Sequence, residues 1–409
     1  MLNVYRRVPL SRFSRKPSVR YLSATIAVSL LVGSAPVFGA PATEPGEGST
    51  SAASPTQETA VAAPVACTTT ISSVSQINGA LKAGAVVCLK AGTYGPVSIA
   101  VSPSSNATLT AAPGAHVVVG GVNIAGSNLT VSQLHSTSAI NVGSGSPYRG
   151  FNHDVIDHNE VGPTKGYGIS VLSATSTPSS YITISNNKIH DTSSTGEGDA
   201  LRFDGWNHIT VANNDIYNIR ECASSGCHTD TLQSYNGGVP TTGLTITKNY
   251  THNNVGAQGL PFLKDGDISN VLISDNLSVH NSNTKGQVTG VWVDENIVGL
   301  TIINNTYQGT SGSIVQADGS AHGPTVAINH NVFDNLNVRP GTGPSYTMTE
   351  DYNIFTGNDE YTFKLGPHSL LKSSPGYMNT ATDDYRLASN PNHIGIDWSP
   401  AGHQYGPAA

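Results

Sequence analysis

Along the middle of the chain one short pattern returns: apolar, any residue, apolar, two further residues, then Asn. It reads DVIDHN ending at Asn159, ITISNN at Asn187, ITVANN at Asn214 and LTITKN at Asn249, then VLISDN at Asn276, LTIINN at Asn305 and VAINHN at Asn331. The intervals are 28, 27, 35, 27, 29 and 26 residues, and Asp154 alone breaks the apolar rule at the first position. Within each unit the alternation has period two, which marks strands and not helices. A repeat of this length implies stacked units, none able to bury its apolar side alone. Asn suits the tight turn that closes each unit, because it tolerates the left-handed region and its amide bonds nearby backbone. Asn side chains in successive units can also bond one another as a ladder. The Leu spacing of leucine-rich repeats is absent, and a propeller would need longer blades of four strands. The pattern therefore predicts an all-β chain, a single-stranded right-handed parallel β-helix in which each segment makes one turn and lands above its predecessor.

A second strand set falls between the Asn motifs, at 168–172, 200–204, 231–235, 260–264 and 290–294. In it Leu201/Phe203, Leu232/Ser234, Pro261/Leu263 and Val291/Val293 are expected to point inward, with their alternates in solvent. A solenoid also needs its open end covered. Ser73 to Ala83 carries Val74, Ile77 and Leu81 at helical spacing with a Gly just beyond, which predicts a short N-terminal capping helix.

The first residues follow another logic. Arg6, Arg7, Arg12, Arg15, Lys16 and Arg20 precede an apolar run from Tyr21 to Val32, and Ala40-Pro41-Ala42 offers a small-residue cleavage site. The run is short and interrupted by Ser, which argues against a membrane span. Residues 1–42 are expected to be a signal peptide, 43–66 a disordered Pro/Ala/Ser/Thr linker and 67–409 the folded domain of a secreted, extracellular protein. The leader holds six of the 20 Lys and Arg and none of the 27 Asp and Glu, leaving a mature balance of −13. Such a surface repels polyanions at long range and argues against nucleic acid. A polyanionic glycan would need a local basic cluster or a bridging divalent cation. Four cysteines in an exported chain suggest two disulfides, with the local pairs Cys67–Cys88 and Cys222–Cys227 favoured among three connectivities.

The repeat departs from its period once, between Asn214 and Asn249. The excess lies in two stretches, RECASSGC and NGGVPTTG, on either side of the strand 231–235. Long loops on a rigid solenoid build the wall of a binding groove. The strand between them opens CHTDTLQSY, gathering His228, Asp230 and Gln233. Aligning units on Leu201 and Leu232 sets Asp199 over Asp230 and Glu197 over His228, one strand spacing of ~4.8 Å apart. Two Asp at that distance would share a proton or a cation, and one pKa should rise. Two columns face outward: Arg202, Gln233, Phe262, Trp292, and then Asp204, Tyr235, Lys264, Asp294. Aromatic faces beside mixed charges suit sugar rings.

A lyase acting on a uronate needs three roles: a group that neutralises the carboxylate, a base for the adjacent C–H proton, and an acid for the leaving oxygen. Arg202 or Gln233 fits the first, His228 or Lys264 the second, and Tyr235 the third. A hydrolase would use Asp199 and Asp230 as its carboxylate pair, and a non-catalytic glycan-binding protein would use the same groove. The bland readings make Asp199 and Asp294 turn-formers, the Cys222–Cys227 pair a loop staple, and the recurring His158, His190, His252, His280 and His330 structural.

Three stretches carry a wider likeness: the opening SVSQINGALKAGAVVCLKAGTY, the Asn-ended units, and the tail DYRLASNPNHIGID. Through them most of 67–400 resembles the secreted right-handed β-helix proteins of the pectate-lyase-like superfamily. That group includes polysaccharide lyases, glycoside hydrolases and epimerases, so the resemblance implies a fold and a carbohydrate-active class, and leaves the reaction open. The chain departs from the calcium-dependent pectate lyases in lacking an Arg-x-Pro-x-x-Arg segment and a dense Asp cluster. GVWVDEN is similar to their strand ending in Trp-x-Asp-His, but Glu295 follows Asp294 here. The expectation is a monomeric polysaccharide lyase, with Ca2+ as the one cofactor left open.

Overall fold

The structure, a computed structural model, describes residues 66–143, 149–173, 177–193, 198–220, 229–235, 240–254, 259–264, 268–280, 289–294, 297–315, 325–339, 347–357, 363–401 and 403–407, with the backbone alone at 264, 289, 294, 311–315 and 339. The expected leader and nearly all of the linker, together with Cys222, Cys227 and His228, lie outside the described residues. No helix among the described residues is long and apolar enough to cross a membrane.

The chain is a right-handed parallel β-helix. One sheet holds twelve strands stacked in chain order from Thr69–Ile71 to Thr347–Asp351. A second sheet carries two ladders: one follows the Asn turn, from Gly92–Tyr94 through Lys188–His190 to Leu370–Leu371, and the next precedes the return to the twelve-stranded sheet. Pairing between successive coils is parallel throughout both sheets, and the coil-to-coil register matches the sequence repeat. Ile156, Ile184, Val211, Ile246, Ile273, Ile302 and Ile328, the third motif positions, stack in one fully buried column. Seven β-branched side chains on top of one another explain why these segments are strands: they pack against equals on the pleated surface at little rotamer cost.

The Asn ladder is continuous. Each Nδ2 donates to the Oδ1 of the next coil from Asn159 through Asn187, Asn214, Asn249, Asn276, Asn305 and Asn331 to Asn353, at 2.9–3.1 Å. All eight are buried. At one end the Leu134 N–H donates to Asn159; at the other Asn353 accepts from Asn331 and donates to Glu350 in place of a further Asn. One expectation changes in detail. The left-handed residue of each turn is not the ladder Asn but the residue before it: His158, Asn186, Asn213, Lys248, Asp275, Asn304, His330 and Tyr352 have φ of 53–59°. The amide thus turns inward as an acceptor and donor while its neighbour takes the strained backbone.

Histidine and tyrosine recur outside the core in three ring stacks. His153–Tyr181–His208 have centroids 5.1 and 4.8 Å apart, and His190–Tyr217–His252 are spaced by 5.0 Å at both steps. His330–Tyr352–His368 stack at 4.9 and 4.4 Å.

The N-terminal end of the solenoid is capped, and the C-terminal tail covers one of its sides. The expected cap is shorter than its pattern: a turn of 3-10 helix, Val74–Gln76, runs into one α-helical turn, Ile77–Ala80. Its apolar residues behave as expected, with Ile77 and Leu81 buried. The Cys67–Cys88 disulfide ties the first strand to the second coil. The tail DYRLASNPNHIGID runs back along the outside of the ladder after the Asn turn. Tyr385, Ile396 and Trp398 pack on Tyr250, Leu277 and Val279, while Leu387 and Ile394 cover Val332 and Ile354. Two ladders are thus left uncovered by the tail, and the strand Leu232–Tyr235 belongs to one of them.

Candidate active site

The strands Ile169–Leu172, Leu201–Asp204, Leu232–Tyr235, Phe262–Lys264 and Thr289–Asp294 form that ladder. Their register is the one the repeat predicts: Arg202 pairs with Gln233, Gln233 with Phe262, and Phe262 with Trp292. Tyr235 pairs with Lys264 and Lys264 with Asp294. Leu201, Phe203, Leu232, Ser234, Pro261, Leu263, Val291 and Val293 face inward and are buried.

The alternate positions correct an expectation. They do not all face solvent: Arg202, Gln233 and Phe262 are only 7%, 4% and 6% exposed. Phe262 and Trp292 pack ring to ring, with centroids 5.0 Å apart and a 51° tilt. Tyr235 is the open member, 44% exposed, and Asp204 is half-buried.

Arg202 is the centre of the site. Its Nε donates to Oδ1 of Asp204 at 3.1 Å, and its Nη1 approaches Oδ2 of Asp199 at 3.4 Å. Its guanidinium lies 5.9 Å from the Tyr167 ring and 5.7 Å from the Tyr235 ring, on the coils before and after. A delocalised cation between two π-faces is a favourable arrangement, and more so when desolvated. Asp199 and Asp230 share a register position, as expected. Both are fully buried, and the Asp230 N–H donates to Oδ1 of Asp199 at 2.9 Å. Two carboxylates, Asp199 and Asp204, therefore hold one guanidinium, and Asp230 stands one coil beyond Asp199.

That geometry bears on what the group can do. Both oxygens of Asp199 are engaged, one by a backbone N–H and one by Arg202, which holds the carboxylate as an acceptor. Arg202 is correspondingly occupied. The partner of His228 in the alignment, Glu197, and His228 itself lie outside the described residues. Among the described residues no group of three or more His, Cys, Asp or Glu is placed to hold a metal ion.

Sequence reading missed Tyr167. The signal was its alignment with Asp199, two positions before Ile169 as Asp199 stands two before Leu201. It also missed three buried polar atoms that have no hydrogen-bond partner among the described residues: Oγ1 of Thr229, Oε1 of Gln233 and Nε1 of Trp292. Buried atoms of that kind are few in native proteins and call for an explanation.

Comparison with known proteins adds the following. No family model matches the chain, and no curated protein matches it. Among solved structures, it is similar to an alginate lyase from Paenibacillus sp. str. FPU-7, at 15% identity and a TM-score of 0.43, covering 70% of this chain and 98% of that one. It is also similar to pectate lyase Pel9A, at 14% identity and a TM-score of 0.42, covering 85% and 90%. A PL6-family alginate lyase, AlyGC in a mutant form, aligns at 15% identity and a TM-score of 0.42, covering 82% of this chain and 57% of that one.

Proposed function

We propose that this chain is a secreted polysaccharide-active enzyme that cleaves a uronate-containing glycan by β-elimination along the ladder carrying Arg202, Gln233, Phe262 and Trp292. The observation that carries the reading is the exposed phenol of Tyr235, in register with Lys264 and resting against the guanidinium of a buried Arg202. An enzyme of this kind needs a proton donor that solvent and substrate can reach, next to a second titratable group, beside a surface for sugar rings. Tyr235, Lys264 and the partly exposed Trp292 ring, packed on the buried Phe262, fit those three needs on successive coils.

The roles divide as follows. A base, Lys264 or His228, takes the proton next to the uronate carboxylate. The electron pair left behind forms a carbon–carbon double bond as the glycosidic bond to the neighbouring sugar breaks. The Tyr235 hydroxyl gives its proton to the departing oxygen. Because Arg202 is engaged by Asp199 and Asp204, the Gln233 amide is the better group to meet the substrate carboxylate, and Arg202 holds Tyr235 in place.

Export is supported by the basic and apolar leader and by a disulfide in the first coils, which persists in oxidising compartments. The test is incubation with a panel of acidic polysaccharides while following the ultraviolet absorbance of the unsaturated product. Absence of product on all of them, with reducing ends released from a neutral glycan, would overturn elimination in favour of hydrolysis by Asp199 and Asp230. Retention on a glycan with no change in its length would make the chain a binder.

A further inference from the structure

The outward column of this ladder is polar well before it reaches the site, and its early members satisfy one another. Asn141 donates to Asn123 at 3.0 Å, and the Ser170 hydroxyl donates to Asn141 at 2.6 Å. Pairing of this kind down a column is what a β-helix face offers each polar side chain. The pattern stops at Arg202, which turns to Asp199 and Asp204.

Gln233 follows next in the column, between Arg202 and the apolar ring of Phe262. Its Oε1 is buried and has no donor among the described residues. Beyond Phe262, the Nε1 of Trp292 is likewise buried with no acceptor among the described residues. A desolvated polar atom left unmatched is destabilising. Here an acceptor and a donor stand two coil steps apart, ~10 Å, on either side of one aromatic ring.

We infer that Gln233 and Trp292 are the polar ends of a glycan subsite that reads free hydroxyl groups and refuses O-acetylated sugar, an inference that rests on the polysaccharide reading above. The chemistry sets the polarity. Gln233 Oε1 accepts and cannot donate, so it needs a hydroxyl hydrogen; an acetyl ester has none to give. Trp292 Nε1 donates only, so it takes a ring or hydroxyl oxygen, while the carboxylate stays with the NH2 group of Gln233. The partly exposed Trp292 ring offers the sugar an apolar face, and the buried Phe262 packed against it holds that ring in place. A span of two coil steps matches two linked sugars running along the solenoid axis.

The experiment measures affinity and turnover on the same samples. An acidic oligosaccharide that binds the full-length protein is titrated calorimetrically before and after O-acetylation, with wild type, Gln233→Met and Trp292→Phe. Thermal unfolding checks that each variant is folded. Wild type is expected to prefer the free form by on the order of tenfold or more. Gln233→Met loses that preference, and Trp292→Phe weakens both forms alike. Equal binding of the two forms by wild type, or a preference retained in Gln233→Met, overturns the inference and leaves trapped water as the partner of both atoms. Selective binding without unsaturated product keeps the subsite and removes elimination. Product without selectivity does the reverse, and a protein that binds no acidic glycan removes both.

Discussion

The backbone N–H of Asp230 donates to Oδ1 of Asp199 across one coil step, at 2.9 Å. With Arg202 on its other oxygen, Asp199 is a bracket between two coils and a cation. Asp199→Ala removes both contacts at once and takes one of two recorded carboxylates from a buried guanidinium. Breaking a buried pair from one side costs about 3–5 kcal/mol, and the remaining Asp204 keeps the loss near the lower figure. Asp199→Asn retains an acceptor for Asp230 and should lose less. Denaturant unfolding of the two variants decides it: equal losses would mean that the charge on Asp199 contributes nothing.

Tyr235 is the opposite case. Its ring is open to solvent, so deleting the hydroxyl in Tyr235→Phe should leave stability within about 0.5 kcal/mol of the parent. The ring contact with Arg202 survives. If the phenol delivers the proton to the leaving oxygen, turnover falls about a hundredfold or more with little change in KM. A Tyr235→Phe enzyme working at the parental rate takes this residue out of the chemistry.

How much of this was legible beforehand depends on what each feature needs. The fold needs only a period. Ile184, Val211 and Ile246 recur with their Asn neighbours, and stacking fixes the rest, so the register down to Arg202–Gln233 and Gln233–Phe262 could be written from the sequence. Exposure was not legible. Period two says which way a strand residue points, but not what packs over it, and so Arg202 and Gln233 were expected in solvent and are buried. Tyr167 was hidden for a related reason: its contact is with a side chain of the next coil, and nothing within its own segment marks it. The turn detail failed on conformational grounds. Asn is common in the left-handed region, yet here the ladder Asn uses its amide inward, and Lys248 or His330 takes the positive φ.

The two neighbours Lys248 and Asn249 therefore make a sharp comparison. Asn249 accepts from the N–H and Nδ2 of Asn214 and donates to the Val211 carbonyl. Asn249→Ala leaves several buried groups unmatched in the middle of the ladder, at about 1–3 kcal/mol for each that finds no water. A total loss of about 3 kcal/mol is expected. Lys248→Gly, one position earlier, relieves a left-handed backbone and is expected to be nearly neutral, because the gain is offset by the freer unfolded chain. Chemical denaturation midpoints separate the two, and a larger effect at 248 than at 249 would contradict the ladder as the stabilising element.

Asp154 occupies the one motif position where the repeat wants an apolar residue, and it stays inside. It is fully buried in line with Leu129 and Ile182, its Oδ1 accepts the Leu129 N–H, and its Oδ2 has no hydrogen-bond partner among the described residues. Burial pushes its carboxyl up from 3.8 to about 8. In the unfolded chain the same group ionises near its ordinary value. Between those two values the folded state holds a proton that the unfolded state has lost, so stability falls as pH rises through the window. The slope is about 1.4 kcal/mol per pH unit at most, and the contribution levels off above the folded pKa. Asp154→Asn keeps the acceptor for Leu129 and cannot ionise. It should match the parent at the acid end of the window and exceed it increasingly toward pH ~8. Urea midpoints for both proteins across that range test the point: a difference that stays constant with pH would show that Asp154 does not hold its proton in the folded chain.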